Sequence, residues 1–121
     1  MARILIIDDD VQIREMLRQM LEFEGYEVIE APNGKEALKL QQGTPADLAI
    51  TDLIMPEKEG IETIRDLRKI FPEIKIIAMS GGGVVGPESY LKIAKSLGAQ
   101  KTFVKPIERK ILLDGIREVL G

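Results

Sequence analysis

Along the 121-residue chain, short runs of consecutive apolar residues alternate with longer stretches in which apolar residues recur every three or four positions. Uninterrupted apolar runs suit strands covered on both faces. Three-to-four spacing suits helices that bury one stripe. The first run is Arg3 to Asp8 (RILIID). Asp10 is placed to cap the helix that follows, because its carboxylate can accept from the free amides of a first turn. That helix carries Ile13, Met16, Leu17, Met20 and Leu21 and ends near Gly25. A second strand is predicted over Tyr26 to Ala31. Asn33 with Glu36 then gives a capping-box-like start to a helix through Ala37, Leu38 and Leu40 that stops near Gly43.

The alternation continues to the end of the chain. Leu48 to Asp52 (LAITD) predicts a third strand, followed by a loop with Pro56 and Gly60 and a helix through Ile61, Ile64, Leu67 and Ile70. Lys75 to Ser80 (KIIAMS) predicts a fourth, followed by the glycine-rich GGGVVG and a helix opened by Pro87, with Leu91, Ala94 and Leu97 on one face and Gly98 at its end. Lys101 to Lys105 (KTFVK) predicts a fifth, and after Pro106 a last helix carries Ile111, Leu112, Ile116 and Val119. Five strand–helix units predict an α/β fold with one parallel sheet between two helical layers. Right-handed crossovers leave few topologies, and the one expected among them is a doubly wound, flavodoxin-like (βα)5 sandwich with strand order 2-1-3-4-5. The whole chain, residues 1–121, reads as one domain.

In such a sheet, ligands bind beyond the carboxyl ends of the strands. The first strand delivers Asp8, Asp9 and Asp10 there, the third Asp52, the fourth Ser80 and the fifth Lys105. The second delivers Glu30 and Ala31, which carry no special signal. Carboxylates crowded together repel unless a cation or a proton joins them. The chain has neither cysteine nor histidine, so disulfides, thiolate and imidazole metal sites and a histidine general base are excluded. Oxygen ligands alone suit Mg²⁺ or Mn²⁺. A metal, a lysine and a hydroxyl around one carboxylate suit a phosphoryl group, and a carboxylate can itself be the nucleophile that forms an acyl phosphate. The net charge of −3, with scattered Lys and Arg, gives no nucleic-acid footprint. The apolar run Ile4–Ile7 is too short for a signal peptide or a membrane span, so the expected location is cytoplasmic.

Taken together, the acidic pair Asp8–Asp9, Asp52 within TDLIMPEKEG, Ser80 closing KIIAMS and Lys105 in FVKP resemble the receiver domain of bacterial response regulators, of the single-domain chemotaxis type. The resemblance covers essentially the whole chain. It implies that Asp52 accepts a phosphoryl group from a histidine kinase or a phosphotransfer protein. It implies that Asp9 binds Mg²⁺ directly, Asp8 through water, and the backbone carbonyl of Ile54 and Asp52 complete the protein's metal ligands. Ser80 would hydrogen-bond a phosphoryl oxygen, Lys105 would pair with the phosphoryl group, and the Lys105–Pro106 bond would be cis. An output protein or output domain would read the change, from a monomer or a phosphorylation-dependent dimer.

Three departures from the family pattern carry expectations. The family's rotating aromatic, three residues before the lysine, is replaced by Thr102, and Phe103 is predicted to face the other side of the sheet. Ile54 is apolar where the family is often polar, which predicts a long-lived acyl phosphate. The segment Ser80 to Pro87 is glycine-rich and predicted to be mobile without phosphate. Three rival readings stand beside the receiver, one of them a purely structural interaction module with a dead phosphorylation site, against which the intact acceptor, metal and lysine positions argue. Asp8 and Asp10 match the Asp-x-Asp of haloacid-dehalogenase-type phosphatases, with Asp8 as nucleophile. A flavodoxin-like cofactor binder would cradle phosphate after the first strand, but there the loop is acidic and the chain has no Trp.

Overall fold

The computed structural model describes residues 2–53, 59–81 and 87–121. Five parallel strands, β1 (Arg3–Ile7), β2 (Glu27–Ala31), β3 (Leu48–Asp52), β4 (Lys75–Ser80) and β5 (Lys101–Val104), form one sheet in the order β2-β1-β3-β4-β5. The helices α1 (Val11–Phe23), α2 (Gly34–Gly43), α3 (Glu59–Ile70), α4 (Pro87–Ser96) and α5 (Arg109–Leu120) alternate with them. The architecture is the one the hydrophobic pattern predicts.

The central strands β1, β3 and β4 are buried on both faces, so alternate side chains feed two cores. Ile4, Ile6, Ile50, Ile77 and Met79 pack with Leu17 and Leu21 of α1 and Leu112 and Ile116 of α5. Leu5, Ile7, Ala49, Ile76 and Ala78 pack with Ala37 of α2, Ile64 and Leu67 of α3 and Ala94 of α4. Each fully buried Ile or Leu contributes about 1.5–3 kcal/mol. The sheet centre is therefore held by apolar packing, which leaves its carboxyl edge free to carry groups that packing alone would not tolerate.

The local start and stop signals act as expected. Asp10 caps α1, its Oδ1 accepting from the amides of Gln12 at 2.9 Å and Ile13 at 3.4 Å. Asn33 caps α2 by accepting from the Glu36 amide at 2.9 Å. Gly25 and Gly98 follow α1 and α4 at φ +94° and +109°, a region costly for other residues. Three strand boundaries differ from expectation by one residue. Asp8 and Lys105 lie just beyond β1 and β5, and Tyr26 just before β2, because the ladder stops there. Asp8 and Lys105 each keep one main-chain tether: the Asp8 amide donates to the Ala31 carbonyl at 3.2 Å and the Lys105 amide to the Ser80 carbonyl at 2.9 Å.

Expectations placed on Ile54, on Pro56 and on residues 82–86 fall outside the described residues. Among the described residues, no helix is long and apolar enough to cross a membrane.

Candidate functional site at the carboxyl edge of the sheet

β1 and β3 are hydrogen-bonded neighbours at the centre of the sheet, so their ends deliver Asp8, Asp9 and Asp52 to the same place. One carboxylate oxygen from each of the three lies within 4.8 Å of the others. Asp8 is fully buried, Asp52 is 5% exposed, and Asp9 opens to solvent. Lys105 reaches across from the end of β5. Its Nζ lies 3.1 Å from Asp52 Oδ2 and 3.4 Å from Asp8 Oδ2, so one ammonium bridges two buried carboxylates. The Asp10 amide donates to Asp8 Oδ1 at 2.9 Å.

Three carboxylates face one ammonium, and the imbalance is felt at Asp8. Burial pushes its carboxyl above the ordinary value of 3.8, and the Asp52 charge pushes the same way. The Asp10 amide and Lys105 oppose the rise without cancelling it. A cluster of hard oxygen donors, short of positive charge and open at Asp9, fits a small divalent cation such as Mg²⁺. Ser80, at the end of β4, is fully buried, and its Oγ has no hydrogen-bond partner among the described residues. A buried hydroxyl without a partner forfeits about 1–3 kcal/mol.

The rival Asp-x-Asp reading loses its second carboxylate here. Asp10 is committed to the α1 cap and is not among the three clustered carboxylates. The structure brings Asp8, Asp9, Asp52 and Lys105 into one constellation and places Ser80 on the strand between Asp52 and Lys105. The Lys105–Pro106 peptide is cis. Thr102 sits beside Ala78, whereas Phe103 sits beside Met79 and packs into the α1–α5 core. The aromatic ring therefore lies on the opposite face of the sheet from α4, as the alternation requires.

The comparisons agree with this arrangement. Residues 4–117 match the family model described as the response regulator receiver domain. The chain belongs to the response regulator receiver domain family. The chemotaxis protein CheY of Thermotoga maritima is 35% identical over 118 residues, covering 97% of this chain and 96% of that protein. The transcriptional regulatory protein CpxR of Escherichia coli is 35% identical over 122 residues, covering 99% of this chain but 50% of its own length. A CheY-like receiver domain from Methanospirillum hungatei superposes with a TM-score of 0.90 at 34% identity, covering 99% of this chain and 94% of that one. The receiver is thus similar both to whole single-domain regulators and to about half of a longer one.

Two features of this receiver's site were not legible in its sequence. Gly81 lies under the aliphatic part of Lys105: a Cβ there would come within 3.2 Å of Lys105 Cδ and 3.3 Å of its Cβ. Within the GGG run nothing distinguishes this glycine. Arg14 and Glu30 form the second feature, an ion pair with 3.2 Å between Nε and Oε1 beside Asp8.

Gly60, in the first turn of α3, is required by close approach. A Cβ there would lie 2.6 Å from the Asp52 carbonyl oxygen and 2.6 Å from Leu53 Cα. Both are backbone atoms and cannot swing away. Gly60→Ala is expected to destabilise the receiver by about 1–3 kcal/mol, as overpacking does. Urea unfolding checks this, with Gly43→Ala as control because a Cβ at Gly43 meets nothing within 4 Å. Equal stability of the two variants would contradict the close approach.

Proposed function

We propose that this receiver is a phosphorylation-dependent switch that accepts a phosphoryl group on Asp52 in a Mg²⁺-dependent reaction. The observation that carries the reading is Lys105 Nζ bridging Asp52 and Asp8 at the edge where three carboxylates meet. Asp52 ends β3, so its carboxylate is presented at the rim by the buried central strand of the sheet. An Asp52 oxygen attacks the phosphorus of a phosphohistidine carried by a histidine kinase or phosphotransfer protein. The O–P bond forms, the P–N bond breaks, and the imidazole leaves. Asp8, Asp9 and Asp52, with the Ile54 carbonyl as the resemblance implies, would hold Mg²⁺, or Mn²⁺ in its place. When bound, the ion supplies charge neutralisation for the phosphoryl oxygens.

Lys105 supplies the second positive charge and has only to turn from carboxylate to phosphoryl oxygen. The Ser80 hydroxyl, buried and without a partner among the described residues, gains an acceptor when the phosphoryl group arrives, which draws the end of β4 toward Asp52. An apolar groove lined by Ile13, Met16, Met20, Ile107 and Lys105 opens beside the acceptor and suits the donor protein. Ile93, Val104 and Ile111 remain exposed on α4, β5 and α5, a surface suited to an output protein or output domain.

Intact-protein mass spectrometry after incubation with acetyl phosphate tests the reading. One phosphoryl adduct is expected, dependent on Mg²⁺ and absent from Asp52→Asn. An adduct that persists in Asp52→Asn would move the nucleophile elsewhere and overturn the assignment.

A further inference from the structure

The geometry points to Arg14, gripped by Glu30, as a positioning residue that fixes the Asp8–Asp9 peptide and with it the metal-binding pair; this rests on the Mg²⁺ reading above. Arg14 lies early in α1 and touches none of the three clustered carboxylates through any contact observed. Its Nη1 instead donates to the Asp8 carbonyl oxygen at 2.6 Å. Its Nε donates to Glu30 Oε1 at 3.2 Å, and both side chains are largely buried, 14% and 20% exposed. Glu30 is held in turn by Arg18, which takes its other oxygen, Oε2.

These contacts close a ring around one residue. The Asp8 amide is tied to the carbonyl of Ala31 at the end of β2. The Asp8 carbonyl is tied, through Arg14, to the side chain of Glu30, which precedes Ala31 in the same strand. The peptide unit is planar, so holding the Asp8 oxygen holds the Asp9 nitrogen and Cα in the same plane. The exposed Asp9 carboxylate therefore springs from a backbone that Arg14 aims. A guanidinium suits the task because its rigid fork serves two acceptors at a fixed angle, which an ammonium on a flexible stem does not.

Charge and position make opposite predictions for this residue. By charge alone, a cation beside the acidic cluster repels Mg²⁺, so removing it should tighten metal binding. By position, removing it frees the Asp8–Asp9 peptide and weakens binding. Outer groups that orient metal ligands are worth about 10–100-fold in affinity.

The experiment is a Mg²⁺ titration of the full chain by calorimetry, without any phosphoryl donor, on wild type, Arg14→Met and Arg14→Lys. Amide NMR of the metal-free proteins reports the Asp9 N–H directly. Arg14→Met is expected to raise the Kd about tenfold and to shift the metal-free Asp9 amide resonance. Arg14→Lys keeps the charge and is the variant expected to fold without question; it should still bind several-fold more weakly than wild type. A Kd unchanged or lowered in either variant would overturn the inference while leaving the Mg²⁺ reading intact. A wild type that takes up no Mg²⁺ would overturn that reading itself, and this inference with it.

Discussion

Lys105→Met is expected to slow phosphorylation of Asp52 by acetyl phosphate about 10²–10³-fold, the usual cost of deleting one preorganised donor to a developing charge. Methionine keeps most of the aliphatic stem that crosses Gly81, so packing is largely preserved and the charge alone is removed. The ammonium now sits 3.1 Å from Asp52, the proposed nucleophile, and would meet the transferring phosphoryl oxygens in the transition state. The same charge would meet the phosphoryl oxygens again in the separate transition state by which water later removes the group. Loss of the adduct should therefore slow as well, and the two rates should fall together.

The substitution has a second consequence that separates stability from chemistry. Lys105 is also the cation beside fully buried Asp8. Without it two buried carboxylates face each other, and the metal-free fold should lose about 1–3 kcal/mol. Adding Asp8→Asn to Lys105→Met removes one of the two charges and should return most of that loss, with no recovery of the phosphorylation rate. Urea unfolding and timed adduct formation on the same samples check both arms. A Lys105→Met rate within a few-fold of wild type would mean that the lysine neutralises the carboxylates at rest and contributes little to transfer.

The strand order and the identity of the site were legible because they follow from rules that act over many residues. Fully buried strands must be apolar on both faces, and amphipathic helices must repeat at three to four. Five such alternations leave few parallel sheets to choose from, and a parallel sheet gathers every strand's end at one edge. Asp52, Ser80 and Lys105 could be placed without knowing a single side-chain contact. Asp10 could be placed as well, as the cap its position before α1 predicts, although with Asp8 it also matches the rival Asp-x-Asp spacing. The decision was made by α1, whose first-turn amides take the Asp10 side chain. Arg14 and Glu30 gave no signal at all. An arginine on a helix and a glutamate at a strand end are ordinary surface residues in a sequence, and their pairing depends on the phase of α1 against β2. Gly81 was hidden for a different reason: three consecutive glycines look alike until one of them lies beneath a lysine.

Asp8→Asn is expected to make the metal-free receiver more stable at neutral pH, with a higher Tm, while weakening Mg²⁺ binding more than tenfold. The first half follows from the raised carboxyl of Asp8. A group whose folded pKa lies above its unfolded value of 3.8 binds protons more tightly in the native state. Wild type therefore loses stability as pH rises above 3.8 and through the folded pKa, and the loss is complete once Asp8 is charged in both states. Asparagine does not titrate and escapes it, and its Oδ1 can still accept from the Asp10 amide. The advantage of the variant should be absent near pH 3 and grow with pH across that window. The second half follows from the same charge, which is what a divalent cation would bind. A ligand that binds the native state alone stabilises it as its concentration passes Kd, so millimolar Mg²⁺ should raise the Tm of wild type and leave Asp8→Asn nearly unmoved. Thermal unfolding at several pH values, with and without Mg²⁺, reads both halves. An Asp8→Asn variant less stable than wild type without metal at neutral pH would mean that the bridge to Lys105 outweighs the burial of the charge. The opposite result would mark the acidic pair as a site kept at the fold's expense because the metal needs it.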